Sequence, residues 1–447
     1  MVNIEMLASQ NPWWADRNEI GNDQKVLTAL SYMRMMPNIP DLYSFKDENL
    51  LIMGPRQVGK TTYVKMVIRD LLLNRKALQR NVLYFSCDSL SRKGELLELL
   101  NLFDSYSDRT QKRYIFLDEV TFVEDWNVAV LSLFNSDFMK DKCIWLTGSS
   151  SMALQRESMP GRGIIKRIFY PMNFREYFER IGGRKLDVPA CDIEDIEGTC
   201  GLAGRLVPYL PDLNSALESY AFTRGGFLMS FYFNGWPQAR TQGNSDPFDA
   251  LYETYKDGTL TELVKSGKSE KTFREVMSGI LLGYGSRISS NSIAKDTSIG
   301  SNKTVESYLE MMEQLFLIRV LYNRRDGRTM FRGSKKIYLV DPFLYRVMKF
   351  YSTGSKNLGE TDRPHVIEGI VGEHMIRRYG DIGFATTKTG KEVDFVYKDI
   401  GVEVKYGNGD YRDLKMDKGY VLTRNSAPTT MNGKALLPIS MFLYLVS

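Results

Sequence analysis

The chain has 447 residues, 43% hydrophobic and 25% charged, with a formal net charge of +5. That balance excludes a disordered chain, and the length calls for more than one domain. Four cysteines without a CxxC pair, and two histidines, exclude a disulfide scaffold, Cys/His zinc sites and histidine-dependent triads.

No apolar run approaches the roughly 18 residues that span a bilayer, and residues 1–14 lack a signal-peptide pattern. The expectation is a soluble cytoplasmic protein with no membrane partner. The positive excess is mild, so nucleic-acid binding would have to rest on a local basic patch.

In chain order, residues 1–47 read as an N-terminal helical segment carrying Trp13-Trp14, with a helix over 25–35. From residue 50, apolar strands at 50–53, 82–86, 114–117 and 144–147 alternate with helical stretches. This is the pattern of a parallel sheet with crossover helices, so the fold class is α/β. The core domain is set at 48–180.

The strongest motif is Gly54-Pro55-Arg56-Gln57-Val58-Gly59-Lys60-Thr61, a complete G-x4-G-K-[ST], followed by Thr62. It follows a strand and opens a helix, as a phosphate loop must. Its backbone N–H groups and the helix N-terminus would wrap the phosphates of ATP. Lys60 would neutralise them, and Thr61 would ligate Mg²⁺. About 60 residues on, the strand 114–117 ends in Asp118-Glu119. Asp118 would hold the Mg²⁺ through water, and Glu119 would polarise the attacking water.

The strand at 144–147 ends in Thr147, Ser149 and further serines. A Gly-flanked arginine, Arg162, follows and is placed to act as an arginine finger on its own nucleotide or a neighbour's. Arg156 and Arg167 compete for that role.

The motifs GPRQVGKTT, IFLDE, LTGSSS and GRG, followed by FYPMNFREYF, resemble a family of archaeal and bacterial AAA-type ATPases. The NPWW at 11–14 resembles archaeal members. Met172-Asn173 depart from the family's usual Leu-Ser. The resemblance makes Thr147, or Ser149, a sensor of the γ-phosphate. It also implies a winged helix and a C-terminal domain like the PD-(D/E)xK nucleases, an α/β fold of restriction-endonuclease type. Homo-oligomers fit an arginine finger acting between subunits, and a monomer fits one acting in cis.

Residues 181–265 read as a helical lid or linker with an acidic insertion at 183–201. Residues 266–335 read as the winged helix. A short helix near 290 and a longer one over 303–315 flank a Gly-containing turn, with Val305, Leu309, Met312 and Leu315 at core spacing. Asn302, Lys303 and Ser307 would face DNA. The strand and Asp326-Gly327 turn that follow would form the wing. Seven basic residues and one acidic residue lie between Arg319 and Lys336, which makes DNA the expected partner. A protein partner is the competing reading.

Residues 336–447 read as the nuclease-like domain. Two adjacent strands carry Asp394 and then Glu403-Val404-Lys405. With period 2, Glu403 and Lys405 share one face. Asp394 and Glu403 would bind Mg²⁺, and Lys405 would position the attacking water. A helix over 366–378 adds Glu368, the residue carried over from the family, with Glu373 as alternative. The whole reads as an ATP-hydrolysing AAA-type protein acting on DNA, with an endonuclease function in its last domain. The alternative is a nucleotide-dependent DNA- or protein-binding switch with an inactive nuclease-like domain.

Overall fold

Each strand expected between residues 50 and 147 is present in the computed structural model, that at 82–86 with the same bounds and the others one to three residues longer. The structure describes residues 3–32, 35–36, 47–149, 163–325, 327–387 and 390–447. The chain divides into two compact units, residues 1–171 with 230–250, and residues 172–229 with 251–447.

The first unit is built on a five-stranded sheet. Its strands are β1 (Asn49–Met53), β2 (Val82–Ser86), β3 (Arg113–Asp118), β4 (Lys142–Gly148) and β5 (Ile164–Ile168). The order is β2-β3-β4-β1-β5, and every pairing is parallel. All seven residues of β4 are buried, as a central parallel strand covered on both faces requires. Because β1 lies between β4 and β5, the loop leaving β1 opens beside the ends of β3 and β4. That topology brings the phosphate-loop motif and the acidic pair together.

β2 is an edge strand, and its open hydrogen-bonding side is closed by side chains from residues 10–14. Asn11 accepts from Tyr84 N–H at 2.7 Å and donates to Tyr84 C=O at 2.8 Å. The indole N–H groups of Trp13 and Trp14 both donate to Val82 C=O at 2.9 Å, and Gln10 accepts from Ser86 N–H at 2.8 Å. These side chains supply what a neighbouring strand would, so β2 offers no free edge there.

The second unit carries an eight-stranded mixed sheet. Its strands are β6 (Ile318–Arg325), β7 (Arg328–Leu339), β8 (Gly383–Thr386), β9 (Glu392–Tyr397), β10 (Ile400–Val404), β11 (Gly419–Thr423), β12 (Thr429–Met431) and β13 (Lys434–Pro438). They run in the order β12-β13-β11-β10-β9-β8-β6-β7. The hairpin expected as a wing, β6 and β7, therefore extends this sheet, with β6 pairing parallel to β8 at Asn323 and Arg324. The helix Asp362–Tyr379 is buried from Val366 to Met375, and the helix Ile439–Val446 is buried throughout.

The two helices expected around the turn at 298–301 are Ser290–Lys295 and Asn302–Gln314, capped by Ser289 and Ser301. Val305, Leu309 and Met312 are buried, Leu315 is half-buried, and Asn302, Lys303 and Ser307 are exposed. Among the described residues, no helix is long and apolar enough to cross a membrane.

Candidate functional site

The phosphate-loop motif turns sharply between β1 and the helix Lys60–Arg69. Gly59 sits at φ +94, and a Cβ there would lie 2.9 Å from Asn234 Oδ1. Gln57 also has positive φ, +65, a strained backbone that concentrates where a loop is held for function. Lys60 is buried and donates to Gly54 and Pro55 carbonyls, both at 2.9 Å. Burial lowers its pKa, against the pull of Glu119, whose Oε1 lies 3.7 Å away.

At the end of β3, Asp118 is the hub of a hydroxyl network. Its Oδ2 accepts from Thr61 at 2.7 Å and from Tyr84 at 3.0 Å. Its Oδ1 accepts from Thr147, whose hydroxyl in turn accepts from Glu119 N–H at 2.9 Å. Glu119 sits in the left-handed region (φ +52), and its Oε2 accepts from Ser149 N–H at 3.0 Å. Thus Lys60, Thr61, Asp118, Glu119, Thr147 and Ser149 converge. Arg156 and Arg162 lie outside the described residues, and Arg167 is on β5, half-buried.

Two residues here were not singled out from sequence. Tyr84 is in β2, beside β3, and its only prior signal was its strand position. Asn234 comes from the segment 230–250. It is 5% exposed, donates to Ser230 C=O at 2.8 Å, and leaves Oδ1 buried with no partner beside Gly59.

Residues 46–178 match the model of a family described as an AAA domain. This segment is an AAA-type P-loop domain. Residues 227–355 match a family described as a domain of unknown function. An uncharacterized protein of Haemophilus influenzae is 23% identical over 382 residues, covering 80% of this chain and 82% of that protein. One of Methanocaldococcus jannaschii is 30% identical over 138 residues, covering 30% of this chain and 28% of that protein. Among solved structures, the Thermotoga maritima RuvB Holliday junction branch migration motor matches with TM-score 0.26 and 14% identity, covering 69% of this chain and 92% of that one. Cdc6p of Pyrobaculum aerophilum matches with TM-score 0.26 and 12% identity, covering 74% and 96%.

Outside the AAA domain, the second unit gathers a second set of charges. Asp394 on β9 accepts from Val404 N–H at 2.9 Å through Oδ2. Glu403 on β10 accepts from Lys405 at 2.6 Å through Oε1, while its Oε2 is buried with no partner. Glu368 is brought to the same place by the helix Asp362–Tyr379. The alternative, Glu373, points elsewhere and pairs with Arg319 and Arg377 at 2.9 Å each.

The residue that sequence reasoning missed is Lys336. It lies on β7, fully buried, and its ammonium reaches Glu368 at 2.8 Å, Glu392 at 2.6 Å and Asp394 at 3.0 Å. Burial works against its charge, but Asp394, Glu368 and Glu392 together outweigh it, so its pKa lies above the ordinary lysine value. Burial, reinforced by the charge of Asp394, raises the carboxyls of Glu368 and Glu403 to about 7 each. Glu392 carried a faint signal: it sits two residues before Asp394, on the same face of β9. Lys336 carried none beyond its charge.

The basic run 319–336 is accordingly smaller at the surface than by count. Lys335 and Lys336 are buried, and Arg319 is paired with Glu373. Arg325, Arg328 and Arg332 are exposed on the hairpin, alongside Phe331 at 68% exposure, which packs edge-on against Tyr322.

Proposed function

We propose that this protein is a Mg²⁺-dependent ATPase whose nucleotide cycle governs how its second unit holds DNA. The observation that carries this reading is the network joining Thr61, Asp118, Thr147 and Glu119 beside a phosphate loop. Lys60 is a buried cation whose hydrogen-bond partners are carbonyls of its own loop, suited to meet phosphate oxygens. Glu119, held by Ser149 N–H, is the general base that orients and polarises the attacking water. Thr147 fixes both Asp118 and the backbone of Glu119, which suits a sensor. Arg162 is proposed as the finger, acting in cis or within a homo-oligomer.

Thr61 and Asp118 fit a Mg²⁺ ion: a hydroxyl and a carboxylate oxygen already converge at 2.7 Å. When bound, the ion would offset phosphate charge. The cytoplasm is the proposed location, in keeping with the absence of any membrane-spanning helix among the described residues.

The reading is tested by phosphate release with Mg²⁺ and ATP. Lys60→Ala is expected to lose both nucleotide binding and turnover. Glu119→Gln is expected to bind ATP and turn over about 10²–10⁴-fold more slowly, the usual contribution of a general base. Wild-type turnover in either variant would overturn the assignment.

DNA as partner is supported by the exposed arginines of the β6–β7 hairpin and by the solvent-facing Asn302, Lys303 and Ser307. For the last domain, the buried charges favour the second reading, a binding module that does not cut. The carboxylates proposed to hold a metal do not fit one as they stand, because Lys336 already fills the space among them. No hydrolytic step is therefore assigned to Asp394, Glu403 or Lys405.

A further inference from the structure

The centre in the second unit has the carboxylates of a divalent-metal site and already holds a cation. An ammonium has three N–H donors. Those of Lys336 are matched one to one by Glu368, Glu392 and Asp394, at 2.6–3.0 Å, with no exposure of the side chain. Charge-assisted bonds of this kind are the strong ones. A hard divalent cation needs six or more oxygens, part of them from carboxylates on several elements. Here Glu368 Oε1 and Asp394 Oδ1 are turned to Lys336, and Asp394 Oδ2 is turned to Val404 N–H.

Among the described residues, no three His, Cys, Asp or Glu side chains are arranged to hold a metal ion. One oxygen of the set is left over. Glu403 is 7% exposed, and its Oε2 is buried with no partner, although Oε1 is met by Lys405. A buried carboxylate oxygen without a partner is costly, and it is the oxygen left to join Glu368 and Asp394 around an ion if Lys336 gives up its place.

We propose that Lys336 is the resident cation of this centre, standing where a divalent metal would sit, so that the wild-type domain takes up no divalent ion there. Removing its charge opens a latent metal site made of Glu368, Asp394 and Glu403. The lysine is delivered by its own chain and needs no ion from solvent. A metal would have to displace an ammonium from three carboxylates at once. The centre thereby stays neutralised whatever the metal supply, which suits a binding module. The inference does not depend on the nucleotide reading.

The test counts Mn²⁺ taken up by the full chain without nucleotide, from the paramagnetic resonance of the free ion. Wild type and Asp394→Asn are expected to take up equal amounts. Lys336→Met is expected to take up one equivalent more, and Lys336→Met with Asp394→Asn to lose it again. An equivalent bound by the wild type and lost in Asp394→Asn would overturn the proposal. So would a folded Lys336→Met that gains none. If circular dichroism shows Lys336→Met unfolded, the comparison of wild type with Asp394→Asn decides alone, and Glu403→Gln repeats it. ATP turnover of the same wild-type preparation is read separately, so failure of the ATPase reading is not mistaken for failure here.

Discussion

Tyr84 donates its hydroxyl to Asp118 Oδ2 at 3.0 Å, and its backbone N–H and C=O are both met by the Asn11 amide. The N-terminal segment and the nucleotide site therefore meet on one residue. Tyr84→Phe keeps the ring and removes one donor, while Thr61 and Thr147 still hold Asp118. ATP turnover is expected to fall roughly 3–10-fold, corresponding to a net hydrogen bond of about 0.5–1.5 kcal/mol. Turnover equal to wild type would take Tyr84 out of the site.

Asn11→Ala removes both bonds to Tyr84 and leaves a buried N–H and C=O of β2 unmatched. Each orphan costs about 1–3 kcal/mol, so the first unit is expected to lose about 2–6 kcal/mol. Urea unfolding would read this as a lower midpoint with an unchanged slope. A midpoint equal to wild type would mean that β2 needs no cover.

Asn234 offers a buried oxygen without a partner beside Gly59. If that amide contacts bound nucleotide, Asn234→Ala should raise the Kd for ATP about 5–10-fold, near 1–1.4 kcal/mol. An unchanged Kd by calorimetry would leave Asn234 as packing against the loop.

His374 lies in the second unit with its imidazole held neutral. Nε2 accepts from Phe174 N–H at 2.9 Å, and Nδ1–H faces Ile370 C=O at 2.8 Å. Burial, with Arg377 adding, lowers its pKa from 6.5 to about 3. Between these values the unfolded chain binds the proton and the folded chain does not, so stability from this group is full above pH 6.5 and lost as pH falls toward 3. Glu368 and Glu403, raised to about 7, act in the opposite sense between their unfolded value and pH 7. The difference between wild type and His374→Gln isolates the histidine. Below pH 6.5 wild-type stability should fall more steeply than that of the variant, by up to about 1.4 kcal/mol per pH unit. Parallel slopes would show that His374 titrates alike in both states.

The hairpin arginines give a test for DNA. Arg328→Ala and Arg332→Ala should each weaken binding to any duplex and lower the salt slope by about 0.9, the value for one phosphate contact. A slope that does not move would turn attention to a protein partner.

The nucleotide site was legible because its parts are local. A phosphate loop is one continuous turn, and the glycine and lysine that make it stand within eight residues of each other. Asp118 and Glu119 announce themselves as the polar end of an apolar strand. The strand pattern from 50 to 147 was legible for the same reason, since a buried parallel strand must be apolar over its whole length.

Lys336 was not legible, because its three partners stand on a helix and on β9, 32 to 58 residues away. Counted by composition it belonged with the hairpin's positive charges. Only the pairing of β6 and β7 into the larger sheet turns it inward, and only there does its charge meet carboxylates instead of water. The same holds for Asn11 and Trp13, whose side chains close an edge that exists only once the five strands are in order. The sequence by itself determined which residues can grip a phosphate, because that geometry lives in one loop. The tertiary structure decided which cation the acidic centre holds, because strand order and burial set the neighbours of a charge.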